Sequence, residues 1–403
     1  MHGTFKQSPF LAANHIDSRA WDFLALCAEN GMDARLVGGC VRDALLGSTY
    51  RAPLFTDIDV AIACPPADVI SFCKKHRLKC IPTGLAHGTV TILYQSLVLE
   101  VTSLRADIKT HGRHATVLFG TSFEEDAKRR DFTMNALYVD LHRILYDAFD
   151  GISDLSHRRV RFIGDTAARI AEDYLRLYRY FRFWGRFGQG HVDLSVLPTL
   201  ISIKKSLSQL SIERVQSELF KILAQPWPGV VLESMRRYGL LAHVFGVEID
   251  YEMGIKAFRR LVVLEGMGGH HACPIRRLCA LTLGSNISAL LKLSRIQTKK
   301  LTQLSTYTSH EKAPNEIVLT HPEWWVDVKL LRDALSCKPI WLCIHDAKAL
   351  VLPPPFPLTG ADILALGVAP GERVGAILNT VKRQWIACNF ELDHTACLTL
   401  ALI

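Results

Sequence analysis

Between Ala34 and Asp140 the apolar positions fall into short runs: Ala34 to Val37, Ile58 to Ala63, Val90 to Tyr94, Leu97 to Thr102 and Ala136 to Val139. Such runs, rich in β-branched residues and bounded by polar ones, predict strands. The stretch from Pro66 to His76 carries helical spacing instead, so this part of the chain reads as one mixed α/β domain. Beyond Thr166 the strand signal fades. Apolar residues recur every three or four positions through Ile170 to Phe187, Ile212 to Leu223 and Val230 to Leu241, the spacing of one helix face. The proline-rich segment Leu352 to Pro357 predicts a turn, with a last group of short helices from Asp362 onward. The fold class is therefore α+β, a mixed domain followed by helices.

Composition narrows this picture. A chain of 403 residues, 49% hydrophobic and 21% charged, can bury a core large enough for two to four domains. It has no uncharged apolar run of about 18 residues, and Met1 to Asn14 lacks the apolar centre of a signal peptide, so the expectation is a cytoplasmic protein with no membrane partner. The eleven cysteines are odd in number and contain no C-x-x-C pair, which fits buried thiols rather than a disulfide frame or zinc knuckle. His345-Asp346 is the only His-Asp dipeptide and lacks the further spaced histidines of a metal-dependent phosphohydrolase. A formal charge of +8 suits either a polyanionic partner or a well-solvated surface.

Two segments carry chemistry. Leu36 to Asp43 reads as a strand running through Gly38 and Gly39 into a helix, which lets backbone N–H groups approach a triphosphate closely while Arg42 clamps phosphate oxygens. Alone, two glycines make a tight turn more often than a phosphate cradle. Asp57 and Asp59, spaced i, i+2 on a strand, project from one face and can share divalent cations. Two like charges crowded there are destabilising unless a cation neutralises them, so metal explains the pair better than packing does.

Together these segments resemble the DNA polymerase β-like nucleotidyltransferases, in particular the class of tRNA CCA-adding enzymes and bacterial poly(A) polymerases. The resemblance implies a head domain at 1–150, then an all-helical neck at 151–225 that recognises the base, a body at 226–345 and a tail at 346–403 that binds tRNA. It assigns Gly38, Gly39 and Arg42 to the incoming triphosphate and Asp57 and Asp59 to two magnesium ions. Arg129-Arg130-Asp131-Phe132-Thr133-Met134-Asn135 resembles the family's ribose-reading motif, where the Asp131 carboxylate and the Asn135 amide can bond a 2′-hydroxyl and Arg130 can reach phosphate. Glu172-Asp173-Tyr174-Leu175-Arg176 resembles the protein template that selects CTP and then ATP; Asp173 and Arg176 can bond the Watson–Crick edge of cytosine or adenine. Arg179 and Arg182 match arginines associated with the nucleotide in that family. Glu100 is either a third carboxylate near the metals or an ion-pair partner of Arg105.

Further matches lie in Ser211 to Leu219, similar to the neck helix, and in Leu358 to Gly371 with Trp385, similar to the tail. Ala106 to Thr121 corresponds to the flexible loop of CCA-adding members, which disfavours an enzyme that adds only A. The family's hinge departs here: Asp147-Ala148-Phe149-Asp150-Gly151 replaces a proline and a glycine. The expected function is magnesium-dependent addition of CCA to the tRNA 3′ end from CTP and ATP. Poly(A) or partial CC tailing is the alternative; a non-catalytic RNA-binding relative is disfavoured by the intact Asp57 and Asp59.

Overall fold

The computed structural model describes residues 5–402 apart from 48–57, 86–87, 112–113, 120–121, 189–191, 194, 203–206, 208–209, 247–248, 286, 288 and 309–313. The chain divides into two units, Met1–Leu210 and Ser211–Ile403. In the first unit the strands are β1 (Lys6–Pro9), β2 (Ala34–Val37), β3 (Ile58–Ile62), β4 (Lys79–Gly84), β5 (Thr89–Tyr94), β6 (Leu97–Ser103), β7 (Arg105–His111), β8 (His114–Phe119), β9 (Leu137–Val139) and β10 (Ile144–Asp147). Eight of them form a mixed sheet in the order β1-β10-β9-β2-β3-β6-β5-β4, and β7 pairs with β8 as a separate ribbon. The helices are α1 (Ser18–Glu29), α2 (Gly39–Leu46), α3 (Pro66–Lys75), α4 (Phe123–Arg129), α5 (Gly151–Ser156), α6 (Thr166–Glu172), α7 (Leu175–Phe187) and α8 (Leu197–Ser202).

The period-two alternation of strands decides which residues face the site. Ile58 and Val60 on β3, like Leu99 and Val101 on β6, are buried on one face, which leaves Asp59 and Glu100 on the other. The two strands are parallel and in register, with Asp59 opposite Glu100, so the carboxylates are neighbours on adjacent strands about 4.8 Å apart. Over the same sheet, Phe123 and Ala127 of α4 pack with Val37, Ala61, Leu104, Ala136, Tyr138 and Ile163.

Two expectations change. The segment expected as a flexible loop, Ala106 to Thr121, is largely a paired hairpin, with Arg105 opposite Phe119 and His111 opposite His114. Its charged residues hide the alternation, whereas cross-strand hydrogen bonding sets the conformation. Helical spacing from Ile170 to Phe187 is also broken at Asp173. There φ is −154° and ψ 105°, and the carboxylate accepts from Leu175 N at 3.2 Å, so the residue closes α6 and opens α7.

Among its described residues the regular structure of the second unit is helical: α9 (Ile212–Leu223), α10 (Gly229–Arg237), α11 (Leu240–Phe245), α12 (Tyr251–Gly268), α13 (Pro274–Leu281), α14 (Arg295–Thr308), α15 (Trp325–Leu335), α16 (Ile340–Ala349), α17 (Gly360–Ala365), α18 (Glu372–Ala387) and α19 (His394–Ala401). The expected late turn precedes α17, but α18 is a 16-residue helix rather than a short one. A buried ion network ties five of these helices. Glu265 on α12 takes Arg276 and Arg277 of α13, Asp327 on α15 takes Arg276 and Lys300 of α14, and Arg277 also donates to the carbonyls of Leu223, which ends α9, and Gln225. Every charge in it has a partner, the condition under which buried ions are tolerated. No described helix is long and apolar enough to cross a membrane.

The altered hinge is braced by Asp147, which is 3% exposed and accepts from the N–H groups of Phe149 (3.1 Å), Gly151 (2.9 Å) and Ile152 (3.0 Å). Asp150, standing where the family has glycine, sits at φ +60°, a conformation that aspartate tolerates better than most residues. Gly151 cannot be replaced as easily: a Cβ there would lie 2.4 Å from Thr133 O, on the strip that carries the ribose motif. We expect Gly151→Ala to cost about 1–3 kcal/mol through overpacking. A urea-denaturation midpoint equal to that of the wild type would contradict this close approach.

Candidate active site

Strand β2 ends in a turn at Gly38, φ +73°, and α2 begins at the next residue. A Cβ on Gly38 would fill the gap between Asp59 Oδ2 (3.4 Å) and Arg130 Nη1 (3.7 Å), so the backbone forms a cradle there beside the N-terminus of α2, whose unpaired N–H groups favour anions. Arg42, one turn in, is only 5% exposed. Its Nε donates to Asp43 Oδ1 at 2.7 Å, its Nη1 to Asn135 Oδ1 at 2.6 Å, and its guanidinium lies 4.5 Å from the Phe187 ring centre. Cys40 beside it is fully buried, and burial pushes its thiol up to about 12, which removes it as a nucleophile.

The ribose motif leaves α4 at Arg130. Asp126 inside that helix is 1% exposed and accepts from Arg129, from Arg130 Nε (3.1 Å) and from the Tyr138 hydroxyl (2.7 Å), which aims both arginines. Burial works against the Asp126 charge, but Arg130 and Arg129 outweigh it and hold the carboxyl below its usual range. Asp131, also buried, accepts from Phe132 N (2.9 Å) and Asn135 Nδ2 (3.2 Å) through Oδ1. Arg179 Nη2 stands 2.6 Å from Oδ2 as an ion pair outside hydrogen-bond geometry, so this buried oxygen accepts no hydrogen bond from a described residue. Desolvation is again overcome, here first by Arg179, and Asp131 is held low and ionised.

Helix α7 places its arginines by simple periodicity. Leu175, Leu177, Tyr178, Tyr180, Phe181, Phe183, Trp184 and Phe187 are buried, while Arg176, Arg179, Arg182 and Arg186 recur at helical spacing on the remaining face. Arg176 pairs with Glu172, four residues earlier, and its Nη1 also donates to Arg169 O at 2.8 Å. Burial opposes the Glu172 charge, but Arg176 and Arg169 hold the carboxyl low. Arg169, not singled out from the sequence, donates to Glu172 Oε2 and to the carbonyls of Arg129 and Arg130, each at 2.6 Å. One side chain thereby fastens the ribose motif to the template motif; the signal that points to it is an arginine three residues before Glu172.

These groups surround one cavity of about 530 Å³. Gly38, Gly39, Arg42, Asp59, Arg130, Asp131, Asn135, Arg176, Arg179 and Arg182 all line it, as do Thr89, Thr102, Arg105 and Arg129. Among the described residues seven arginines face two aspartates, a field made for a polyanion. Glu172 stands behind Arg176, outside the lining, and neither Asp173 nor Glu100 is part of it. Asp57 lies outside the described residues.

The donor set suits a hard divalent cation. Asp59 offers carboxylate oxygens beside the Gly38 cradle, and Glu100 neighbours it in register; both supply only oxygen, the ligand type that magnesium takes. Among the described residues no three His, Cys, Asp or Glu side chains converge as a metal site.

A glycine turn and a strand aspartate under a ring of arginines, on this sheet, define a nucleotidyltransferase. Comparison with known proteins agrees and goes further. Residues 34–161 match the model of the family described as "Poly A polymerase head domain", and residues 194–251 that of "Probable RNA and SrmB-binding site of polymerase A". CCA tRNA nucleotidyltransferase 1, mitochondrial, of Danio rerio is 30% identical over 391 residues, covering 92% of this chain and 87% of its own length. The CCA-adding enzyme of Lacticaseibacillus paracasei is 31% identical over 377 residues, covering 89% of each. The crystal structure of the Bacillus stearothermophilus CCA-adding enzyme in complex with CTP superposes with a TM-score of 0.71 at 25% identity, covering 96% of both chains. The chain belongs to the family of CCA-adding tRNA nucleotidyltransferases. Nucleotidyltransferases of this kind use divalent metal ions.

Proposed function

We propose that this chain adds CCA to the 3′ end of tRNA, taking CTP and ATP as substrates and using no nucleic acid template. The observation that carries the proposal is the single cavity in which the glycine turn, Asp59, the ribose motif and Arg176 meet. The division into head, neck, body and tail at 150, 225 and 345 belongs to the same proposal, as does a cytoplasmic location; fractionation against a mitochondrial marker decides the latter.

In the reaction the oxygen of the RNA 3′-hydroxyl forms a bond to the α-phosphorus, the bond to the β-phosphate bridge breaks, pyrophosphate leaves, and the hydroxyl proton is lost to solvent. The N–H groups of the first turn of α2, from Gly39 onward, receive the triphosphate, and Arg42, locked by Asp43 and Asn135, presents a fixed positive charge to it. Arg130 adds a second. Asp131 Oδ2, ionised beside Arg179 and accepting no hydrogen bond from a described residue, accepts from the ribose 2′-hydroxyl, with Asn135 beside it. Arg176 meets the Watson–Crick edge from the cavity wall, with Asp173, outside the lining and just ahead of α7, as the second base-reading group, while Arg179 and Arg182 bound the same side of the cavity. Asp57 and Asp59, with Glu100 alongside, would hold two magnesium ions, which supply charge neutralisation at the reacting phosphate and lower the pKa of the attacking hydroxyl.

The test is the product. On tRNA lacking its 3′ end, sequenced termini should read C, C, A and then stop. Long A tails would favour poly(A) synthesis, the reading that the head-domain match also allows.

A further inference from the structure

The nucleotide motifs leave one side of the cavity unassigned. Gly38, Gly39, Arg42, Asp131 and Arg176 come from β2, α2, the ribose motif and α7, whereas Thr89, Thr102 and Arg105 come from β5, β6 and the start of β7. Sheet order separates them. β2 lies on one side of β3, and β6 followed by β5 on the other, so Asp59 stands between the two groups. Thr102 is two residues beyond Glu100 on the same face of β6, and Thr89 is its register partner on β5. Their hydroxyls meet at 3.0 Å. Each hydroxyl can donate one hydrogen bond and accept two, so a mutually bonded pair keeps valences for a ligand.

In-line transfer makes this side matter. The attacking oxygen must approach the α-phosphorus opposite the departing pyrophosphate. With the triphosphate at the α2 end, the attack comes from the β6 and β5 side. We infer that Thr89, Thr102 and Arg105 form the subsite for the terminal nucleotide of the RNA acceptor: the threonine pair hydrogen-bonds its ribose and phosphate oxygens, and the Arg105 guanidinium neutralises the phosphodiester. This rests on the transfer reaction proposed above. Threonine hydroxyls suit the task because the acceptor end changes from the discriminator base to C and then to C again during one cycle. A subsite that reads sugar and phosphate is indifferent to that change.

The experiment compares wild type with the Thr89→Val/Thr102→Val double variant, which keeps side-chain shape and removes both hydroxyls, and with Thr89→Ser/Thr102→Ser, which keeps them. Two quantities are read for each: kcat/KM for tRNA lacking its CCA end, and the dissociation constant for CTP measured without RNA. The valine pair should lower kcat/KM about tenfold or more and leave the CTP constant within about twofold, while the serine pair stays near wild type. Arg105→Lys should lower kcat/KM for the tRNA with the CTP constant unchanged. If the valine pair weakens CTP binding as much as it lowers kcat/KM, the threonines belong to the nucleotide and the inference is overturned; so it is if kcat/KM does not move. A wild-type enzyme that binds CTP but extends no tRNA would instead defeat the transfer reading itself, a separate result.

Discussion

Asp59→Ala is expected to lose nucleotide transfer by at least about 10³-fold, the scale on which enzymes depend on charge stabilisation at a transferring phosphoryl group. Among the described residues that line the cavity, seven arginines meet only Asp59 and Asp131. Those arginines attract the triphosphate whether or not Asp59 is present, so its loss should leave CTP affinity in the absence of metal unchanged or higher. What disappears is the carboxylate that positions a cation at the reacting phosphate. Affinity for tRNA should persist, because sequence-blind phosphate contacts act over the whole basic chain. Asp59→Asn keeps the side-chain shape and should be nearly as inactive, which separates a lost ligand from a packing defect. The measurement is incorporation of labelled CTP in magnesium alongside tRNA binding at fixed salt; near-normal incorporation by either variant would remove Asp59 from the metal site. The same loss is expected of Asp57→Ala.

What the sequence made legible follows from where local signals were strong. The strands predicted at Ala34 to Val37, Ile58 to Ala63 and Leu97 to Thr102 are found as β2, β3 and β6 within a residue, because each is a mainly aliphatic run; β2 and β3 have one polar interruption and β6 alternates buried with more exposed positions. The helix predicted from Ile212 to Leu223 is found with those same ends as α9. Strands β1, β4 and β10 gave little signal. β4 is mostly exposed and carries Pro82, and β1 holds its place by pairing with β10, a contact made more than 130 residues away along the chain. Among site residues, the roles that depend on spacing were legible: Asp59 on the open face of its strand, and Arg176, Arg179 and Arg182 on one helix face. The roles that depend on tertiary contact were not. Arg169 reaches carbonyls forty residues away, which its local i, i+3 spacing to Glu172 does not reveal, and Thr89 and Thr102 meet across a strand pair that no local pattern marks.

Arg176→Ala is expected to leave polymerisation possible but to spoil the choice among CTP, ATP, GTP and UTP. Losing one or two base-edge hydrogen bonds costs about 1–3 kcal/mol of discrimination, which corresponds to about 5- to 150-fold in misincorporation. The structure adds a graded companion to this result. Arg176 is held from behind by Glu172 and by the Arg169 carbonyl, and Arg169 in turn grips Glu172 and the carbonyls of Arg129 and Arg130. Removing the Arg169 side chain therefore frees both the guanidinium that reads the base and the strip that presents Asp131. Arg169→Ala should raise misincorporation less than Arg176→Ala does, but should also weaken the preference for CTP over dCTP, which Arg176→Ala has no reason to alter. Arg169→Lys should recover part of the base selection only, since a single ammonium cannot span a carboxylate and two carbonyls as the planar fork does. Sequenced 3′ ends from reactions with all four nucleotides, together with the CTP to dCTP ratio, decide between these outcomes. Faithful C, C, A from the Arg176→Ala enzyme would end the template role, and an Arg169→Ala enzyme altered in neither ratio would reduce that residue to a structural tie.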